Sequence, residues 1–268
     1  VALHLNRKTN NQNPQQNKSV GVSSVPKKTS SIDASIILPE EKKVVITKPV
    51  VVQKDPNLIT SESYLVGDLL TGKIYISKNP EQIFPIASLS KLFTALVATH
   101  VLNQASKITI TQQMLDTYGD AGHLVKDERF TVGELLYPLL LESSNDTAEA
   151  YAQSFGYKVF IDSMNSYASE IGMTKTSFRD ASGLSPSNIS TSKDLFTLAQ
   201  YLYKNEPNIL EVTRQKEFSL ATTTDHGSHH FLSINPFVFY KPFIGGKTGR
   251  TEEARESMVS MFSIDKNS

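Results

Sequence analysis

Apolar positions are sparse over residues 1–57 and become regular from Ser63 onward. Residues 10–17 read Asn-Asn-Gln-Asn-Pro-Gln-Gln-Asn, and a Ser/Val/Lys-rich stretch follows to about residue 33. Such a segment cannot bury enough apolar surface to offset its ordering entropy, so the pattern predicts a flexible tether. Two β-prone patches interrupt it: Ile36-Ile37-Leu38, then Val44-Val45-Ile46 with Val50-Val51-Val52. Pro49 separates the last two triplets and restricts that region to an edge strand or an extended strap.

After Ser63 the spacing predicts elements one by one. Tyr64–Leu69 and Ile74–Ser77 alternate as strands around a turn containing Gly72. Over residues 88–104 the period changes to that of a helix, with Leu89, Leu92, Phe93, Leu96, Val97 and Val101 on one stripe. Thr131 with Glu134 has the spacing of a capping box, and Thr191 with Asp194 repeats it. Strand-like sequence returns around Phe243-Ile244-Gly245 and Met258–Phe262. Strands at both ends with helices between them predict an α/β sandwich, an antiparallel sheet made by both chain ends with an inserted helical region. The expected organisation is a leader over 1–57 and one folded domain over 58–268.

Charge and composition narrow the function. Lys plus Arg (27) equals Asp plus Glu (27), so no global field draws in nucleic acid. There is no cysteine, which removes thiol catalysis, Cys-based zinc sites and disulfides together. No apolar run reaches the roughly 18–20 residues of a membrane helix. The opening Val1-Ala2-Leu3, running into Asn6, Arg7 and Lys8, reads either as the edge of an upstream signal or anchor helix or as an arbitrary boundary. His226, His229 and His230 cluster near Asp225 and read as a solvated loop between strands rather than a metal site. The scattered Tyr and Phe read as core and cleft lining, not as a stacking platform.

Three short motifs carry candidate chemistry. In Ser88-Leu89-Ser90-Lys91, serine and lysine share one face where a loop becomes a helix. A serine hydroxyl needs a base to become a nucleophile, and a lysine whose pKa is lowered by burial or by another cation can serve. An N-capping serine followed by a surface lysine has the same spelling. In Ser143-Ser144-Asn145, polar side chains interrupt an apolar run, either to relay a proton and hold a substrate amide or to cap a helix. In Gly245-Gly246-Lys247-Thr248-Gly249, small residues allow close backbone approach, and Lys with Thr can cradle a carboxylate. A phosphate-binding loop is excluded, because the upstream glycine is missing and no helix signal follows.

In this order, Ser-x-x-Lys, Ser-x-Asn and Lys-Thr-Gly form the signature of penicillin-binding proteins and class A β-lactamases. The chain resembles the D-alanyl-D-alanine carboxypeptidases, serine peptidases among the low-molecular-mass penicillin-binding proteins, from about Ser63 to Ile264. The likeness extends to Asp68-Leu69-Leu70-Thr71-Gly72, to Leu140–Ala150, to Gly172–Phe178, to Ser182-Gly183-Leu184, and to Ser190-Thr191 with Asp194-Leu195. The resemblance implies that Ser88 is the acylated nucleophile, Lys91 its general base and Ser143 the proton relay to the leaving amine. It implies that Asn145 binds the substrate amide and that Lys247 and Thr248 hold the terminal carboxylate. The oxyanion would lie between the backbone N–H groups of Ser88 and Arg250, next to Gly249. Lys91 and Lys247, buried at one site, would lower one another's pKa. The implied substrate is a peptidoglycan stem peptide, with β-lactam antibiotics as covalent inhibitors and no metal or organic cofactor.

The chain also departs from that family. Members usually continue after Lys-Thr-Gly with a further strand and a C-terminal helix, for which this chain has no sequence, and many carry a second β-rich domain. The Val44–Val52 region is the spare strand-like candidate for the vacant place in the sheet. Arg255 stands where the family often has glycine. Two other readings are an endopeptidase cutting D-Ala cross-links with the same residues and a non-catalytic cell-wall binding module. A β-lactamase is disfavoured, since no Glu-x-x-x-Asn follows Ser143. Peptidoglycan lies outside the cytoplasmic membrane, so the expected location is extracytoplasmic. A tether of about fifty residues reaches roughly 40 Å, which suits an N-terminal membrane anchor.

Overall fold

The computed structural model describes residues 3–4, 59–119 and 121–264. The expected leader, including the Val44–Val52 candidate, otherwise lies outside the described residues. Residues 61–264 and the short strand β1 (Leu3–His4) fall within one compact unit.

Two hairpins frame the domain. β2 (Tyr64–Asp68) and β3 (Ile74–Lys78) pair antiparallel, with Tyr64 opposite Lys78. Their turn is held by the Asp68 carboxylate, whose Oδ1 accepts from the N–H groups of Leu70 (2.8 Å) and Thr71 (3.0 Å). Near the C-terminus β10 (Phe243–Thr251) pairs antiparallel with β11 (Arg255–Phe262), as the sequence predicts. The expected α/β architecture is present, with strands from both chain ends and helices between them, and one of its strands runs parallel. β1 pairs parallel with β2, placing Leu3 opposite Gly67, and lies against β11. Leu3–His4 thus lies on the edge of β2 opposite β3.

The helical region lies between these hairpins. α1 (Ser90–Val101) is its centre, and the expected stripe widens to the whole circumference: Leu92, Phe93, Thr94, Ala95 and Leu96 are all fully buried. A helix buried all round needs partners on every side. α3 (Val132–Leu140), α4 (Asn145–Phe155) and α5 (Tyr157–Glu170) supply most of them. Phe93 stacks on Phe178 at 4.8 Å and meets Tyr167 edge-on at 6.3 Å. α6 (Ser192–Asn205) packs against β2, and α7 (Pro207–Arg214) against β10. Minor pairs complete the fold: β4 (Phe84–Pro85) with β7 (Ile189–Ser190), and β5 (Lys107–Thr109) with β6 (Arg129–Thr131). β8 (Glu217–Leu220) pairs with β9 (His229–Leu232), and the short α2 (Gln112–Leu115) follows β5.

The capping box at α3 forms in both directions, Thr131 accepting from Glu134 N–H and Glu134 accepting from Thr131 N–H. At α6 only half of it forms. Thr191 accepts from Asp194 N–H, but the Asp194 carboxylate turns to the Lys175 N–H and the Thr176 hydroxyl, so it ties a loop instead. Residues 221–228 join β8 to β9 and are mostly exposed, as a solvated loop between strands should be, but His226 and, at the start of β9, His229 turn inward. The His226 and His229 side chains are 3% and 8% exposed, and His226 stacks on Phe130 at 4.7 Å. Among the described residues no group of acidic and histidine side chains is arranged to hold a metal ion. No helix among them is long and apolar enough to cross a membrane.

Candidate active site

Ser88 is the middle residue of a 3-10 turn, Ala87–Leu89, which runs directly into α1. Ala87 has φ +48°, a left-handed conformation that a residue with a Cβ adopts only under constraint. The constraint comes from two glycines. A Cβ on Gly183 (φ +87°) would lie 2.0 Å from the Ala87 carbonyl oxygen, and one on Gly249 would lie 3.0 Å from the Ser88 nitrogen. These close approaches press the loop around Gly183 and the strand β10 against the serine turn. The Ser257 hydroxyl, on β11, reinforces the second contact by donating to the Ile86 (3.1 Å) and Gly249 (3.2 Å) carbonyls.

One helical turn later, Lys91 is fully buried and its Nζ makes three hydrogen bonds. It donates to Ser88 Oγ at 3.0 Å, to Asn145 Oδ1 at 2.7 Å and to the Ser182 carbonyl at 2.6 Å. The reading of Lys91 as an ordinary surface side chain is thereby excluded. Burial and then the charge of Lys247 hold its pKa well below the usual lysine value, with Asp180 acting in the opposite sense. The charged form donates to all three partners. The neutral form that this shift favours keeps two N–H groups for Asn145 Oδ1 and the Ser182 carbonyl and turns its lone pair to Ser88 Oγ, whose proton it can then take.

Lys247 is 1% exposed on β10, and burial lowers its pKa to about 7. Its Nζ donates to the Thr248 carbonyl at 2.8 Å. Lys247, Thr248, Gly249 and Arg250 are consecutive in β10, opposite Val259, Met258, Ser257 and Glu256 of β11. The strand therefore carries a buried lysine and, beside the Ser88 nitrogen, a row of backbone groups.

The polar motif between α3 and α4 serves both of its readings. Ser144 caps α4 by accepting from Thr147 N–H at 3.1 Å, while Asn145, the first residue of the helix, reaches Lys91. The Asn145 amide nitrogen donates to the Tyr118 carbonyl at 2.6 Å. Ser143 sits at the apex of the junction with φ +66°. Among the described residues no hydrogen bond joins its hydroxyl to Ser88 or Lys91. The structure thus joins Ser88, Lys91 and Asn145 directly and sets β10 alongside them, and leaves Ser143 unlinked to the pair.

The groups behind this arrangement leave no trace in the local spacing of the three motifs. The Ser182 carbonyl, Asp180 and Asn188 all come from the loop before β7. Asn188 Nδ2 donates to Ser90 Oγ at 3.0 Å across 98 positions of sequence. The Ser182-Gly183-Leu184 likeness pointed to this loop, but no local spacing links it to Lys91. Arg255, in the family's glycine position, has φ +53° and pairs with Glu62 at 2.7 Å.

Comparisons with known proteins identify relatives of this chain. The D-alanyl-D-alanine endopeptidase of Escherichia coli is 35% identical over 186 residues, 68% of this chain and 59% of its own. The carboxypeptidase DacF of Bacillus subtilis is 29% identical over 71% of this chain and 51% of its own length. The chain therefore spans between half and three fifths of these two relatives. Among solved structures, the D-alanyl-D-alanine carboxypeptidase of Mycobacterium tuberculosis superposes with a TM-score of 0.70 at 27% identity, covering 75% of this chain and 76% of that one. The Streptomyces K15 DD-transpeptidase gives 0.64 at 28% identity, covering 72% and 87%. The profile of one family, D-alanyl-D-alanine carboxypeptidase, matches residues 50–268, and the chain belongs to that family.

Proposed function

We propose that the protein is a serine-type D-Ala-D-Ala carboxypeptidase that trims peptidoglycan stem peptides. The observation that carries this reading is the buried Lys91 Nζ 3.0 Å from Ser88 Oγ, with the charge of Lys247 lowering its pKa. Ser88 Oγ attacks the carbonyl carbon of the penultimate D-Ala while its proton passes to Lys91. The oxyanion is held by the N–H groups of Ser88 and Arg250. Asn145 binds the peptide amide, and Lys247 with Thr248 holds the terminal carboxylate. As the C–N bond breaks, the leaving amine takes a proton through Ser143, and water then releases the acyl group from Ser88. A β-lactam enters the same path and remains as an ester on Ser88.

Incubation with a labelled penicillin followed by mass spectrometry is expected to give one adduct, on Ser88, that is absent from Ser88→Ala. A folded protein that stays unlabelled, or is labelled elsewhere, overturns the reading. The Escherichia coli relative is named an endopeptidase, which favours cleavage of cross-links as the second reading. Purified muropeptides separate the two: loss of terminal D-Ala from monomers supports the carboxypeptidase, and conversion of dimers to monomers the endopeptidase.

The proposed substrate lies outside the cytoplasmic membrane, so we further propose an extracytoplasmic enzyme held by an N-terminal anchor. Fractionation of cells making the full-length protein is expected to recover it with the membrane. Recovery with the soluble cytoplasm removes this placement, and release into the medium removes the anchor.

A further inference from the structure

The loop that meets Lys91 is built around one carboxylate. Asp180 Oδ1 accepts from the Ser182 N–H (2.9 Å), the Ser182 hydroxyl (3.1 Å) and the Gly183 N–H (2.5 Å), and Oδ2 accepts from the Ser185 N–H (2.6 Å). Gathering several N–H groups from consecutive residues leaves the chain little freedom, and the Ser182 carbonyl points at Lys91 Nζ, 2.6 Å away. The Ala181 carbonyl of the same turn accepts from the Thr94 hydroxyl of α1.

A second clamp joins this loop to the nucleophile turn. Asn188 is fully buried and uses its whole amide. Its Oδ1 accepts from the Arg179 N–H (2.7 Å) and the Asp180 N–H (3.2 Å), and its Nδ2 donates to the Asp180 carbonyl (2.9 Å) and to Ser90 Oγ (3.0 Å). Ser90 in turn donates to the Ala87 carbonyl at 2.8 Å, beside Ser88. A continuous path of hydrogen bonds therefore runs from the serine turn through Asn188 to Asp180 and back, through Ser182, to the base.

We propose that Asp180 is a positioning residue for the reaction, which shapes the loop 180–185 so that the Ser182 carbonyl and its own negative charge fix where Lys91 sits and how readily it takes a proton. This rests on the reading of Ser88 as nucleophile and Lys91 as base. The groups facing Lys91 are Lys247 from β10, Asp180 from the loop, and the uncharged Asn145 and Ser88; Glu149, further along α4, faces Asp180. Of the charges, Asp180 favours the protonated lysine and Lys247 opposes it.

The test is the rate of Ser88 acylation by a labelled penicillin across a pH series, for wild type, Asp180→Asn and Asp180→Glu, with thermal unfolding recorded for each. Asp180→Asn removes the charge and places an amide N–H against the Ser185 N–H. Its acylation is expected to fall at least tenfold, a size typical of small misplacements at a reacting centre, and the acid limb of its profile to move to lower pH. Asp180→Glu keeps the charge and moves the carboxylate, so its rate falls while the limb returns to the wild-type position; it also serves if Asp180→Asn does not fold. A limb that stays put in Asp180→Asn, or wild-type rates in Asp180→Glu, overturns the positioning role while leaving the functional reading standing. A wild-type protein without a Ser88 adduct overturns the functional reading and takes this inference with it.

Discussion

At the scale of single residues, the site is governed by two lysines that water does not reach. An ammonium group loses much of its solvation on burial, so each such lysine is driven towards its neutral form. For Lys91 that outcome suits a base, and for Lys247 it makes binding of an anion a titration. Free Lys247 titrates at about 7, and a bound carboxylate favours its charged form, so binding above that pH must take up a proton. Calorimetry of Ser88→Ala with a D-alanine-terminated peptide, run at about pH 8 in buffers of different ionisation enthalpy, is expected to show this uptake. A heat of binding independent of the buffer would exclude it. Asn145 illustrates how little a motif says alone, since its two amide ends connect Lys91 to the Tyr118 carbonyl, and neither partner is adjacent in sequence.

At the scale of elements, the nucleophile turn depends on backbone contacts that only glycine permits. Gly183 combines φ +87° with the Ala87 carbonyl where its Cβ would be, so an added methyl group must displace either the loop or the turn. Gly183→Ala is expected to reduce penicillin acylation at least tenfold and to lower the unfolding midpoint. Acylation at the wild-type rate would show that the turn is held by other means. The capping devices carry the same lesson. Thr131 and Glu134 close on each other through Glu134 Oε2, the other Glu134 oxygen facing His226 Nε2 at 3.7 Å, whereas Asp194 finds the Lys175 N–H and the Thr176 hydroxyl and leaves its own box half made. Sequence spacing predicted both caps equally well, and the tertiary neighbours decided which was completed.

At the scale of the whole molecule, the buried lysines make stability depend on pH. Lys247 titrates near 10.5 when unfolded and at about 7 when folded, so between these values the unfolded chain binds the extra proton. Stability is expected to rise with pH across that window, and Lys91, lowered in the same direction, adds to it. Tyr157 and Tyr167, raised above their ordinary value chiefly by burial, reverse the trend once unfolded tyrosines ionise. Thermal midpoints at about pH 7 and about pH 9 test this; an unchanged or lower midpoint at the higher pH would sink it. The order Ser88, Lys91, then Ser143, Asn145, then Lys247, Thr248 was legible in the chain, because motif spelling is local and each piece spans at most a few neighbouring residues. So were the hairpin strands, set by alternation, and α1, set by its apolar period. The sequence by itself therefore determined the family, the helices and hairpins, and the residues that could react. Tertiary structure alone decided that Lys91 is buried beside Lys247, that Leu3–His4 lies along β2, and that Asp180 and Asn188 hold the base and the nucleophile turn together. The physical reason is that burial, parallel pairing and hydrogen bonds across 98 positions depend on which surfaces meet in the folded chain, and no local spacing records that.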